Sequence, residues 1–257
     1  MGFVELLSTY GQDYATALLT TWWMTAVSFA VVMVLSVGIT VLRVCPLRPL
    51  RAVGDLYVQV FRNIPGVALL IIVVYALPNL RVVLDYRTCV IVTTVLMGSA
   101  FGSENFMSGI NTIGVGQIEA ARSIGLRFSQ IMSRIVIPQA LRSAVLPMTN
   151  LLIAVMLTTS LGSQVPLSPQ ELTGIVSYIN TRATGGILAF LIAALGYVGT
   201  AAVIGLVGNR IDRKVRICLL YTSVDQSFPL SPDGWAIAVL RYRGAIGPVS
   251  HTPLRDR

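Results

Sequence analysis

Four stretches of the chain contain no Asp, Glu, Lys or Arg: residues 14–42, 63–80, 143–170 and 183–209. Apolar residues run through them almost without interruption. They lack the strict alternation of a half-buried strand and the one-sided stripe of a soluble helix. A run of about 20 apolar residues is what a helix needs to cross the hydrocarbon of a bilayer. Several such runs describe an integral membrane protein, because only helices and closed barrels satisfy their backbone polar groups in lipid. A barrel would show strands of about ten residues with alternating polarity, whereas these runs are continuous. The pattern predicts an all-α, polytopic membrane protein with spans at residues 15–42, 56–77, 88–110, 143–165 and 185–208.

The second span is irregular. It holds Arg62, Pro65 and Gly66 within five residues, and proline removes a helix hydrogen bond. A kink is expected there, with Arg62 near the cytoplasmic interface. Between spans four and five, the polar, proline-broken segment from Pro166 to Gly174 reads as an outer-face loop, followed by a short interfacial helix. Residues 1–14 read as an extracytoplasmic N-terminus and 15–216 as the five-span domain. Residues 217–257, with four prolines, read as a poorly ordered cytoplasmic tail. Glu5 and Asp13 precede the first span and no small-residue cleavage pattern follows, so that span is expected to be retained.

Composition agrees with this picture. Hydrophobic residues make up 54% of the chain and charged residues 12%, with a mean hydropathy of +0.76; a soluble domain carries roughly 25% charged residues. The net charge of +8 does not indicate nucleic-acid binding, because the basic residues flank the apolar runs. Arg43, Arg48 and Arg51 follow span one, and Arg122, Arg127, Arg134 and Arg142 follow span three. Arg210, Arg213, Lys214 and Arg216 follow span five, whereas the opposite side has only Arg81, Arg87 and Arg182. The positive-inside rule places the first group in the cytoplasm and the N-terminus outside, in a cell membrane.

Several chemistries are excluded. Cys45, Cys89 and Cys218 are far apart and odd in number, which suits neither a disulfide framework nor a metal site. The single histidine, His251, lies in the tail. The single lysine, Lys214, follows Arg213 and precedes Val215, so no Gly-Lys-Ser/Thr phosphate loop exists. No catalytic residue or metal site is expected. If the chain takes part in active transport, the energy comes from another subunit or from an ion gradient.

The most informative connection is residues 114–142. From Glu119 it reads EAARSIGLRFSQIMSRIVIP, ending at Pro138. Residues 117–124 favour helix and Gly125 is placed to end it. A second helix is expected over 128–136, ending before Pro138. Ile124, Phe128, Ile131 and Ile135 would form one apolar stripe. Small Ala120 and Ala121 would admit close approach to a partner's groove, with Glu119 offering a charge. The competing reading is an amphipathic helix lying on the inner leaflet.

The spacing E-A-A, three residues, Gly125, nine residues, Ile135, one residue, Ile137-Pro138 resembles the ATPase-coupling loop of ATP-binding-cassette (ABC) importers. Further supporting stretches are YVQVFRNIP from Tyr57, SGINT from Ser108, GQIEAARSIG from Gly116, IPQALR from Ile137 and PMTN from Pro147. On these the chain resembles, over residues 18–216, the permease subunits of polar amino acid ABC importers, and most of all glutamate permeases. The resemblance implies a five-helix type I importer core. It also implies a partner ATPase engaged through Glu119, Ala120, Ala121, Gly125, Ile135 and Pro138, a second permease subunit (the same chain or another), and an extracytoplasmic amino-acid-binding protein. Transport would be by alternating access.

Glu104 is the only acidic residue well inside a predicted span, and ionisable groups at membrane depth usually face a cavity or a partner. It matches a carboxylate frequent in the family and is the first candidate for the substrate pathway, with Asn105, Thr159 and Ser160. The sequence departs from the family pattern where Met107 and Leu157 replace cations, which would strip Glu104 of partners. Two readings from other classes remain: a gradient-driven secondary transporter or channel, and a membrane scaffold. The first would show repeats and several paired intramembrane charges.

Overall fold

A computed structural model describes residues 2–182 and 186–215, and all regular structure among them is helical. The tail expected at 217–257, with Cys218 and His251, lies outside the described residues.

Helix α1 runs from Phe3–Val44 and α4 from Tyr86–Asn111; these two form the most extensive helix pair. Their shared face is built from small and hydroxylated residues. Ser28, Ser36 and Thr40 of α1 and Thr93, Thr94, Ser99 and Ser103 of α4 are all buried. In lipid the hydrophobic effect gives helices little reason to associate, so small residues and hydrogen bonds do so instead. Across the pair, Ser36 Oγ donates to the Ser99 carbonyl at 3.3 Å and Thr40 Oγ1 to Ser103 Oγ at 3.2 Å. Gly98 brings the backbones together: a Cβ there would lie 2.8 Å from the Val32 side chain. Large apolar side chains point outward, including Leu195, Val198, Val203 and Leu206 on α10 (Gly186–Val215).

α1 begins at Phe3, so residues 3–14 are the first turns of the same helix and precede the apolar run. Leu6, Tyr14 and Ala17 fall on one face and pack against Ile175 and Ile179 of α9 (Gly174–Arg182) and Ala189 of α10. Tyr14 Oη donates to the Ala189 carbonyl at 2.9 Å.

The region of the second span is broken. α2 (Arg48–Asn63) is strongly amphipathic, and α3 (Gly66–Ile71) continues as a π turn and a 3-10 turn to Leu80. The two parts meet at 105°. Ile64 (φ −80°, ψ 130°) and Pro65 (φ −59°, ψ 133°) both leave helical geometry, because the proline ring forces the preceding residue toward extended backbone. This is a turn of the chain, sharper than a kink.

α8 (Val145–Thr158) continues as a 3-10 turn through Thr159–Gln164. Among the described residues, four helices are long and apolar enough to cross a membrane, and the α2–α3 pair makes a fifth. The chain is an all-α, multi-pass membrane protein.

Candidate functional site

The 114–142 connection is a compact helical hairpin. α5 (Val115–Ser123) ends at Gly125, whose φ of +81° only glycine adopts cheaply. Gly125 N–H donates to the Arg122 carbonyl at 2.8 Å and Leu126 N–H to the Ala121 carbonyl at 3.1 Å. This bonding is the Schellman motif, which satisfies the last carbonyls of a helix. The return limb comprises α6 (Phe128–Ile131), a π turn at Met132–Val136 and α7 (Ile137–Ser143). It passes through Pro138, which corrects the expected end before that residue. Pro138 sits in the first turn of α7, where a missing N–H costs little.

Ala121, Ile131, Val136 and Ala140 are buried together inside the hairpin, with Ile135 packed against them. Two expectations change. Ala121 lies on the inner face and closes the hairpin, so it offers nothing to an outside partner, whereas Glu119 and Ala120 are exposed. Ile124 is 76% exposed, because the turn at Gly125 takes it out of register with the buried Ile131. The outer surface therefore presents Val115, Glu119, Ala120 and Ile124.

The hairpin is fixed to α4. Gly109 approaches α7 so closely that a Cβ there would lie 2.8 Å from the Ala140 carbonyl oxygen. Ser143 Oγ bonds the carbonyls of Ala140 and Gly109, at 3.1 and 3.4 Å. Asn105 Nδ2 donates to the Pro147 carbonyl at 3.2 Å, tying α4 to α8.

One turn from Gly109 toward the interior, α4 meets an ion network. Arg43 of α1 has a side chain only 13% exposed; its Nε is 2.9 Å from Asp55 Oδ1 and a terminal nitrogen 3.0 Å from Glu104 Oε1. It also donates to Ser103 Oγ at 3.1 Å. Arg62, at the end of α2, reaches the same Glu104 oxygen at 3.3 Å and lies over the Phe101 ring. Glu104 is thus paired twice. The expectation that Met107 and Leu157 leave it without cations is corrected, because its partners come from α1 and α2 instead of from its own helix and α8. Thr159 is buried and donates to the Met156 carbonyl at 2.6 Å, while Ser160 is partly exposed. Neither is joined to Glu104 by a hydrogen bond.

The sequence reading missed Glu171, which is fully buried. Its carboxylate accepts from Thr173 N–H at 2.6 Å, Gly174 N–H at 2.7 Å and Tyr197 Oη at 3.0 Å. An acid among prolines and polar residues reads as solvated loop, and no helical period marks it. Burial pushes its carboxyl above the ordinary glutamate range, against the pull of the Thr173 N–H, Tyr197 hydroxyl and Gly174 N–H. Glu171→Ala leaves three donors without an acceptor and is expected to cost about 2–3 kcal/mol, read as a lower Tm in detergent. A raised folded value means that the neutral form is favoured. The Glu171 contribution is therefore full below the ordinary glutamate value and lost as pH rises through the raised one. The stability of Glu171→Gln relative to the native protein should accordingly improve with rising pH.

Residues 35–217 match the family model described as binding-protein-dependent transport system inner membrane component, more than half of the chain. The chain belongs to that family. Among similar proteins, the permease is 32% identical over 228 residues to the glutamate transport system permease protein GluC of Corynebacterium efficiens, covering 82% of this chain and 99% of that protein. With the L-cystine transport system permease protein TcyB of Bacillus subtilis it shares 31% identity over 193 residues, 75% of this chain and 82% of that one. In fold, the permease matches a crystal structure of an amino acid ABC transporter crystallised with histidines. The TM-score is 0.77 at 20% identity, over 83% of this chain and 99% of that chain. An inward-facing methionine ABC transporter, MetNI, gives a TM-score of 0.70 at 22% identity, over 81% and 99%. The five-helix type I importer architecture is therefore that of this chain.

Proposed function

We propose that the permease imports a polar amino acid, glutamate or a close analogue, by alternating access, driven by a separate ATPase that docks on the 114–142 hairpin. The observation that carries this reading is the hairpin itself. It is closed by its own apolar core, turned at Gly125 and seated on α4 through Gly109. A partner pushing on Glu119, Ala120 or Ile124 moves a rigid body, and α4 carries that displacement to Glu104. There the Arg43 and Arg62 pairs link α4 to α1 and to the turn between α2 and α3. The relatives named for glutamate and cystine transport support the substrate class.

The working unit is this chain, a second permease subunit (a copy or a homologue), two ATPase subunits and an extracytoplasmic amino-acid-binding protein. ATP and Mg are held by the ATPase. The basic flanks orient the hairpin and the end of α10 to the cytoplasm, with the N-terminus outside. Glu104 acts by positioning the helices that line the pathway. Asn105 holds α4 on α8; Thr159 and Ser160 stand as pathway candidates on the far side.

The division of labour is tested with purified components. The permease alone hydrolyses no ATP, and hydrolysis appears when its ATPase is added. Turnover by the permease without the ATPase would refute the reading.

A further inference from the structure

On the span-facing side of the hairpin lies a cavity of about 340 Å³ with mixed apolar and polar walls, at the lower end of the roughly 300–1,000 Å³ usual for small-molecule sites. Its amide and charged groups come from three helices. Gln117 belongs to α5, Gln139 and Arg142 to α7, and Asp212 to the last turns of α10. Asp212 is 8% exposed and Arg142 is exposed. Gln139 Nε2 donates to Gln117 Oε1 at 2.9 Å across the hairpin. Gln117 sits one turn before the buried Ala121 on α5.

A carboxylate, a guanidinium and two amides around one small volume complement a zwitterion. We infer that the cavity binds a free α-amino acid, with its ammonium on Asp212, its carboxylate on Arg142 and the two glutamines receiving its polar remainder. Such a ligand joins the hairpin to α10 and holds it in one position. Amino acid accumulating on that side then slows the hairpin and with it further import. This regulatory consequence rests on the coupling role proposed above; the binding itself does not.

Binding is tested on the full-length protein in detergent, without ATPase, by equilibrium dialysis with radiolabelled L-glutamate and L-glutamine. Saturable binding is expected. Asp212→Asn and Arg142→Gln should each weaken it by about tenfold or more, and N-acetyl-L-glutamate, which lacks the ammonium, should compete poorly. Because Arg142 is exposed, its replacement is not expected to disturb the fold. Absent binding, binding unchanged in both variants, or equal competition by the acetylated compound would each overturn the site. The second result would place the ligand elsewhere, and the third would show an anion site only. In vesicles holding the assembled transporter, L-glutamate loaded on the hairpin side should slow ATP-driven uptake by the native protein and not by Asp212→Asn. Unslowed uptake would overturn the regulation and leave the importer reading standing. No ATP-driven uptake at all would count against the importer reading, and the dialysis result would still decide the site.

Discussion

Gly125→Pro abolishes amino acid uptake while the protein still inserts in the membrane at its normal level. Proline fixes φ near −65°, whereas Gly125 sits at +81°. It also removes the N–H that bonds the Arg122 carbonyl at 2.8 Å. Both changes fall on the turn that lets α5 and the return limb close around Ala121, Ile131 and Val136. The cost is about 3 kcal/mol or more, enough to open the hairpin, which is held mainly by that small cluster. Membrane insertion depends on the apolar runs, and none of them includes Gly125. Gly125→Ala meets no neighbouring atom and loses only the preference for positive φ, about 1–2 kcal/mol, so it should retain partial uptake. Quantitative blotting of membranes beside uptake measurements separates the two effects. Full uptake by the proline variant would mean that the hairpin transmits nothing.

The second large effect is expected at Arg43. Arg43→Ala removes the cation that Asp55 and Glu104 share and leaves Glu104 with Arg62 alone. Removing one partner of a fully buried pair costs about 3–5 kcal/mol. Asp55 and Glu104 are 42% and 34% exposed, so solvent screening lowers the expected loss to about 2 kcal/mol. Stability should fall by that amount, and coupling should suffer more than stability, because the network ties α1 and α2 to the helix on which the hairpin sits. Stimulation of the ATPase by loaded binding protein is the readout. Glu104→Gln keeps a hydrogen-bond acceptor for both arginines and should be the milder change. A reversed order, with Glu104→Gln silencing transport and Arg43→Ala harmless, would make Glu104 a substrate contact instead of a positioning residue.

These residues also show what the chain discloses before it folds. Absence of charge marked the spans because lipid leaves the backbone no alternative to a helix there. The hairpin was legible because Gly125 and the apolar spacing around it are local signals. Pro65 announced a disruption but not its size; the 105° turn needs Ile64 and Pro65 to leave the helix together. The partners of Glu104 were not legible, since Arg43 lies 61 positions away and looked like an ordinary membrane-flanking charge. Glu171 was hidden for the same kind of reason. Its acceptors' partners include Tyr197, 26 residues on, and nothing in a proline-rich connection signals burial. Ile124 was misjudged because a helical stripe was extended across a glycine that ends the helix, and Ala121 because a small residue suits the closing of the hairpin as well as it suits a partner's groove. Local order is written locally, whereas charge pairing is a tertiary fact.

The side of the membrane on which the hairpin lies decides the account. In a background with Cys45→Ser, Cys89→Ala and Cys218→Ser, a single thiol is introduced by Ser123→Cys, an exposed position on α5. Intact cells are then treated with a membrane-impermeant maleimide. The account predicts no labelling until the membrane is permeabilised, and full labelling in intact cells would contradict it.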